Sequence, residues 1–114
     1  MAKQMIDVRL SIGAERDLSG IYRRRLAQRG ADGEGGADAL LDDLVAAIES
    51  LASYPAKGPV VPELDALGIH EFRQLSRAPF RIIYLAEETR VTVLVVADSR
   101  RDFRTLLGER LLGS

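Results

Sequence analysis

Two apolar runs near the end of the chain constrain the fold more than any other feature. Phe80–Leu85 and Val91–Ala97 are rich in isoleucine, valine and aromatic residues, which favour β-strands. Only the short charged stretch Ala86–Arg90 separates them, so the pair predicts an antiparallel hairpin. The second run is apolar almost throughout, which is typical of a strand covered on both faces.

Alternation along the first of these strands divides its side chains between two faces. One face carries Arg81, Ile83 and Leu85, and the other carries Phe80, Ile82 and Tyr84. An arginine in so apolar a strand indicates either a functional face or an ion pair that fixes the register of the sheet.

The first half of the chain predicts a strand followed by two helices. Met5–Ile12 alternates apolar and polar residues, as a half-buried strand does. Ala14–Arg29 and Ala37–Ser53 place apolar residues at steps of three and four, which indicates two amphipathic helices. Gly30–Gly36 holds four glycines in seven residues and is the expected loop of a helical hairpin.

The second half adds a third strand before the hairpin and a helix after it. Pro55–Pro62 is a connection rich in proline and glycine, and Glu71–Ser76 is the expected additional strand. Phe103–Leu112 predicts a final helix, with Ser99 or Asp98 as its cap. The predicted order is therefore β-α-α-β-β-β-α. It describes an α+β fold in which an N-terminal helical hairpin packs on a small antiparallel sheet, as one domain over residues 1–114.

Charge is distributed unevenly although the net charge is only −1. Residues 31–56 contain six acidic residues and no basic one, whereas fourteen of the sixteen basic residues in the chain are arginines. Arg16, Arg23 and Arg24 fall largely outside the apolar stripe of the first helix, and we interpret them as its solvent face. Nucleic-acid binders with a broad basic face usually carry a larger positive excess.

Several kinds of chemistry are excluded or disfavoured by residue content. The chain has no cysteine and a single histidine, His70, so no metal-ligand set stands out. No phosphate-binding loop or nucleophile elbow is present, and we expect no cofactor. No apolar run approaches the length of a membrane span, and the charged N-terminus does not resemble a signal peptide, so a cytoplasmic location is expected.

The candidate chemistry lies in a set of arginines close to the sheet and the following loop. Its members are Arg73, Arg77, Arg81, Arg100, Arg101 and Arg104, with Tyr84 nearby in sequence. Arginines can stabilise charge at a scissile phosphodiester, and Tyr84 or Glu71 could then serve as acid or base. The alternative is structural: Arg73 and Arg81 would pair with acidic residues across the sheet.

Several segments in order resemble the RelE/ParE toxin superfamily of type II toxin–antitoxin systems. They read IGAERDLSGIY, IESLASYPAKG, IHEFRQL, PFRIIY, VLVVADSRRD and LLGERLL, and they cover nearly the whole chain. The resemblance implies the same α+β fold and a growth-inhibiting toxin. It also implies a cognate antitoxin as partner, which binds by a helix in a groove or by an added strand. Contact with DNA is implied only indirectly, through the antitoxin.

Two branches of this superfamily imply different targets. Residues 97–112, ADSRRDFRTLLGERLL, resemble the ParE-like ending, a loop with paired arginines followed by a helix. ParE-like proteins are associated with plasmid stabilisation and with inhibition of DNA gyrase, without catalytic residues of their own. This branch implies Arg100, Arg101 and Arg104 as target-binding residues.

The RelE-like branch consists of ribosome-dependent mRNA endoribonucleases. It would give Arg73, Arg81 and Tyr84 a catalytic role, with the ribosome and mRNA as partners. The C-terminal tail has neither the tyrosine nor the histidine common in that branch. The ParE-like interpretation is therefore preferred. A third alternative is an inactive homologue that only binds its antitoxin.

Overall fold

The computed structural model describes residues 6–112. Its main elements in chain order are β1 (Asp7–Leu10), α1 (Ile12–Arg29), α2 (Ala37–Glu49), α3 (Pro62–Asp65), β2 (Phe72–Arg77), β3 (Phe80–Ala86), β4 (Arg90–Asp98) and α4 (Phe103–Leu107). A 3₁₀ turn, Ser50–Ala52, continues α2, and a π-helical turn, Gly108–Leu112, continues α4. The predicted α+β order is confirmed, and the short helix α3 is added within the segment expected to be an irregular connection.

The helical hairpin begins at a side-chain cap. The backbone N–H of Ala14 donates to the Ser11 hydroxyl at 3.0 Å, so α1 starts at Ile12, two residues before the predicted start. At its other end Gly30 has a φ of 78°, a conformation that glycine adopts without steric cost. The hydroxyl of Tyr22 donates to Asp38 at 2.7 Å and ties α1 to the first turn of α2.

The sheet has the strand order β1-β4-β3-β2. Strands β2, β3 and β4 are antiparallel neighbours, as the hairpin prediction requires. Strand β1 joins the other side of β4 in a parallel pairing, which the sequence pattern did not indicate. Strands β1 and β2 therefore form the opposite edges of the sheet, with the helical hairpin between them in sequence.

A β-bulge interrupts the pairing of β3 with β4. Ile83 pairs with Val95 and Tyr84 pairs with Val93, which leaves Leu94 as an extra residue in β4. The bulge shifts the alternation along β4, so Val93 and Val96 both belong to the core beneath the helical hairpin. It also leaves the carbonyl of Leu94 available for contacts outside the sheet.

Both faces of the central strands are buried, as predicted for β4. One core lies between the sheet and the helical hairpin and includes Leu18, Ile21, Leu44, Ile48, Ile82, Tyr84 and Val93. A second core lies on the opposite face beneath α3 and α4 and includes Val61, Leu64, Ile83, Val95, Phe103 and Leu107.

The cap predicted for the final helix is wrong. Neither Ser99 nor Asp98 caps α4. Instead Asp102 accepts hydrogen bonds from the backbone N–H of Thr105 at 3.2 Å and from its hydroxyl at 2.7 Å. Asp98 is bound by Arg100, and the cap of α4 is Asp102, directly before the first helical residue, Phe103.

Candidate functional site

Arg81 is held in a closed set of contacts on the α3 and α4 face of the sheet. Its guanidinium forms a two-pronged ion pair with Glu63 of α3, with both N···O distances at 2.9 Å. It also donates to Gln74 at 3.0 Å and lies 4.0 Å from the ring centroid of Phe103. Only 13% of the side chain is exposed, and its hydrogen bonds lower the pKa of Glu63.

Tyr84 and Arg73 meet on the opposite face and anchor the connection before α3. The hydroxyl of Tyr84 accepts the backbone N–H of Gly58 at 2.9 Å, and Arg73 donates to the carbonyl of Gly58 at 2.8 Å. Tyr84 is fully buried, which raises its pKa. A Cβ at Gly58 would lie 1.9 Å from the backbone carbonyl oxygen of Gln74, so only glycine fits there.

The three residues of the nuclease alternative therefore do not share a site. Arg73 and Tyr84 are cross-strand neighbours, but Arg81 projects from the other face of β3. The structural alternative is closer to the observed geometry, although the partners differ from those expected. Arg81 pairs with a helix instead of a strand, and Arg73 binds a backbone carbonyl.

Arg77 also has a structural contact. It forms an ion pair with Asp43 of α2, and its Nε donates at 2.9 Å. The pair joins the edge strand β2 to the helical hairpin and lowers the pKa of Asp43.

The three residues predicted to bind the target are all exposed. Arg100 folds back on Asp98, donating from its backbone and its side chain at 2.8–2.9 Å, and this contact lowers the pKa of Asp98 to about 2. Arg104 lies near Glu63 and Asp102, whose pKa values are lowered mainly by hydrogen bonds from Arg81 and Thr105 respectively, and its charge adds a smaller effect in the same direction. The backbone N–H of Arg101 donates to the carbonyl of Asp98 at 3.0 Å, but its side chain forms no hydrogen bond or ion pair within residues 6–112.

Arginines of α1 lie beside this loop, which the sequence did not predict. Two adjacent clefts of about 240 and 280 Å³ open where α1 crosses the end of β4. Arg24 and Asp98 line both clefts, Arg100 lines the first and Arg101 the second. We call this region, formed by Arg16, Arg24 and Arg25 of α1 with Arg100 and Arg101 of the loop, the arginine surface.

A partly buried ion pair fixes α1 against β4 at the edge of the arginine surface. Asp17 accepts the backbone N–H of Val96 at 2.9 Å and forms an ion pair with Arg110. Arg110 also donates to the carbonyl of Leu94 at 2.9 Å, at the bulge. A Cβ at Gly13 would come within 2.8 Å of the Arg110 guanidinium, so this glycine leaves room for the contact.

An apolar groove lies on the other side of α1. It has a volume of about 560 Å³ and is lined mainly by Leu10, Leu18, Tyr22 and Leu41, from β1, α1 and α2. Ile12, at the start of α1, is strongly exposed. An accessible apolar groove beside the edge strand β1 is a surface on which a partner can bury area.

Metal and membrane features are absent from the described part of the chain. Residues 6–112 contain no group of three His, Cys, Asp or Glu side chains placed to hold a metal ion. In the same range no helix combines the length and apolarity needed to cross a membrane.

Comparison with known proteins relates this geometry to a family. The chain matches the family of the ParE toxin of the type II toxin–antitoxin system parDE over residues 8–103. No curated protein sequence matches it.

Among solved structures, it is similar to the chromosomal ParDE toxin–antitoxin system from P. aeruginosa. The TM-score is 0.62 at 21% identity, over 82% of this chain and 96% of that chain. It is also similar to the toxin–antitoxin complex RelBE2 from Mycobacterium tuberculosis, with a TM-score of 0.59 at 20% identity, over 88% of this chain and 98% of that chain. These structures establish the fold, and because the family match spans most of the sequence, the chain belongs to the ParE toxin family of type II toxin–antitoxin systems.

Proposed function

We propose that this toxin arrests growth by binding a protein target, DNA gyrase by analogy with its family, and that it catalyses no reaction. The observation that carries the proposal is the contrast between two sets of residues. The residues that a nuclease would use are occupied by internal contacts and lie on opposite faces of the sheet. Arg100 and Arg101, in the loop before α4, and Arg104, within α4, are instead exposed on the surface.

The burial of Tyr84 supports a function without catalysis. A general acid or base must come within hydrogen-bonding distance of the proton that it transfers. The Tyr84 hydroxyl is enclosed and already accepts a hydrogen bond from Gly58. Because the guanidinium of Arg81 is also shielded, neither group is placed to contact an RNA phosphate.

Inhibition of purified gyrase tests this proposal. We expect the toxin to block supercoiling of a relaxed plasmid. Replacing Arg100 and Arg101 by alanine should raise the toxin concentration for half-inhibition by about ten-fold or more, since arginines at interface centres often contribute over 1–2 kcal/mol each. The double variant Arg29→Ala, Arg90→Ala removes the same charge elsewhere on the surface and should behave like the wild type.

The same experiment has outcomes that contradict the proposal. The nuclease function would be indicated by two results together. Supercoiling would be normal in the presence of wild-type toxin, and mRNA would show translation-dependent cuts that disappear in Arg81→Ala. Unchanged supercoiling, intact mRNA and normal growth on induction would indicate an inactive homologue.

We further propose that the cognate antitoxin covers the apolar groove between β1, α1 and α2 with an amphipathic helix. The two similar structures described above are a ParDE toxin–antitoxin system and a RelBE2 toxin–antitoxin complex, which supports a partner of this kind. The apolar lining of the groove and the exposed Ile12 suit the apolar face of a helix. The edge of β1 lies next to the groove and can accept an added strand.

A bulky substitution at the groove tests this assignment without disturbing the core. Ser19 is exposed and lines the groove, so Ser19→Arg should weaken antitoxin binding at least about ten-fold by preventing close packing. Ala27→Arg adds the same side chain at an exposed position of α1 that does not line the groove, and serves as the matched control. Binding is measured by calorimetry, and equal affinities for the two variants would place the antitoxin elsewhere.

A further inference from the structure

The two clefts of the arginine surface adjoin each other. Arg24 and Asp98 line both of them, so an extended ligand can contact both clefts. Gly20 contributes to this geometry, because a Cβ at that position would lie 3.1 Å from the Arg24 guanidinium. The glycine lets the Arg24 side chain lie close along α1 at the boundary of the clefts.

The carboxylates within this surface are already paired inside the fold. Asp98 is bound by the Arg100 side chain through two hydrogen bonds, which lower the pKa of the carboxyl. Asp17 is bound by Arg110 and by the N–H of Val96. Neither carboxylate is therefore available to neutralise the remaining arginines.

The arginines that remain have no acidic partner. Within residues 6–112, the side chains of Arg16, Arg24 and Arg101 form no ion pair and no hydrogen bond. Arg25 donates to the carbonyl of Gly35 at 2.9 Å, which orients its side chain but leaves its charge uncompensated. Four positive charges thus surround clefts whose own carboxylates are occupied, and they favour an anionic ligand.

The composition of the clefts distinguishes between anionic partners. The first cleft is lined by Ile21, Leu40, Pro79 and Phe80 as well as by charged residues. These four apolar residues, among nine that line the cleft, can contact an apolar side chain and offer nothing to a phosphate group. The chain as a whole carries a charge of −1, without the positive excess that is usual for proteins that bind nucleic acids. Arginine forks fit carboxylates as well as phosphates.

We propose that the arginine surface binds an extended acidic segment of the target protein, with carboxylates paired to Arg16, Arg24 and Arg101 and one apolar side chain in the first cleft. This inference rests on the proposed function, since it names the kind of segment through which the target is held. It extends the predicted target-binding residues from the loop after β4 to the exposed face of α1.

The test combines a target assay with two defined probes. The test variant carries both Arg16→Ala and Arg24→Ala. The matched control carries both Arg29→Ala and Arg90→Ala, which remove the same charge outside the clefts. Each is compared with the wild type for half-inhibition of gyrase supercoiling. Each is also titrated with a fluorescent peptide of alternating aspartate and glutamate with one phenylalanine, and with a single-stranded DNA oligonucleotide of equal charge. Thermal melting confirms that the variants are folded.

We expect the Arg16, Arg24 double variant to weaken gyrase inhibition and peptide binding by about ten-fold. Each exposed ion pair that is lost lowers the affinity by up to about five-fold. The control pair should change either value by less than about two-fold. If wild-type toxin inhibits gyrase and the Arg16, Arg24 variant does so equally well, the inference is wrong while the proposed function stands.

If wild-type toxin does not inhibit gyrase, the proposed function fails and the probes decide the inference alone. Peptide binding that is lost in the Arg16, Arg24 variant but kept in the control supports an acidic protein segment. Tighter binding of the oligonucleotide than of the peptide, with the same dependence on these arginines, overturns the inference in favour of nucleic acid.

Discussion

Replacing Asp17 by alanine should be among the most destabilising single changes at a charged residue of this chain. The substitution removes the acceptor for the Val96 N–H and the ionic partner of Arg110 together. Val96 is buried, so its N–H is left without a hydrogen bond, at a cost of about 1–3 kcal/mol.

The ion pair adds a second contribution of intermediate size. The side chains of Asp17 and Arg110 are 14% and 28% exposed, so the pair is neither fully exposed nor fully buried. Exposed ion pairs contribute about 0–1 kcal/mol to stability. Breaking a buried ion pair costs about 3–5 kcal/mol. Arg110 keeps the carbonyl of Leu94 as a partner, which reduces the loss. We therefore expect Asp17→Ala to lower the free energy of unfolding by about 2–4 kcal/mol.

Urea unfolding followed by circular dichroism measures this change, since the chain has no tryptophan for fluorescence. Asp17→Asn is the matched control: it retains an oxygen for the Val96 N–H and loses only the charge, so it should cost about half as much. A double-mutant cycle with Arg110→Ala isolates the coupling between the two side chains. If Asp17→Ala costs less than about 1 kcal/mol, or no more than Asp17→Asn, the reasoning about the Val96 N–H is refuted.

Two further predictions concern the internal contacts of the sheet. Gly58→Ala should prevent stable folding, because the added Cβ would clash with the Gln74 carbonyl. Gly108→Ala lies in a helical turn with open space and should stabilise the fold by about 0.5–1 kcal/mol. The melting temperatures of the two variants are compared with that of the wild type. Arg81 holds the folded-state pKa of Glu63 below its usual value of 4.5. The stability from this pair is therefore fully present above that pH and is lost as the pH falls through the lowered value. Glu63→Gln should flatten this part of the acid unfolding profile, and a profile identical to the wild type would contradict the role of the pair.

Much of the fold was predictable from local patterns. The hairpin of β3 and β4 followed from two β-prone runs with a short link, and the helical hairpin followed from apolar spacing around a glycine-rich loop. The parallel pairing of β1 was not predictable, because alternation identifies a strand but not its neighbour. Helix α3 was missed although Pro62 stands at its first position, a known start signal, because only four residues follow the helical pattern.

The arginine surface could not be predicted from the sequence, because it is formed by elements that are far apart in the chain. Periodicity placed Arg16 and Arg24 on the outer side of α1, but it does not show which element lies across from them. The end of β4 lies there: Val96 packs in the same core as Leu18 and Ile21 of α1, and its N–H donates to Asp17, 79 positions away in sequence. The bulge at Leu94 supports the same contact, since the carbonyl that it releases holds Arg110 against Asp17.

These contacts connect stability to the proposed target surface. Asp17 is one of the carboxylates whose internal pairing leaves the neighbouring arginines without partners, and it also sets the distance between α1 and the loop that carries Arg101. Arg110→Ala should therefore weaken target binding although Arg110 lies outside the two clefts, because it frees Asp17 to pair with Arg16 or Arg24. Adding Asp17→Asn to Arg110→Ala removes the competing charge without repairing the fold. If the double variant regains the affinity for the target, the loss in Arg110→Ala is electrostatic and does not come from lower stability.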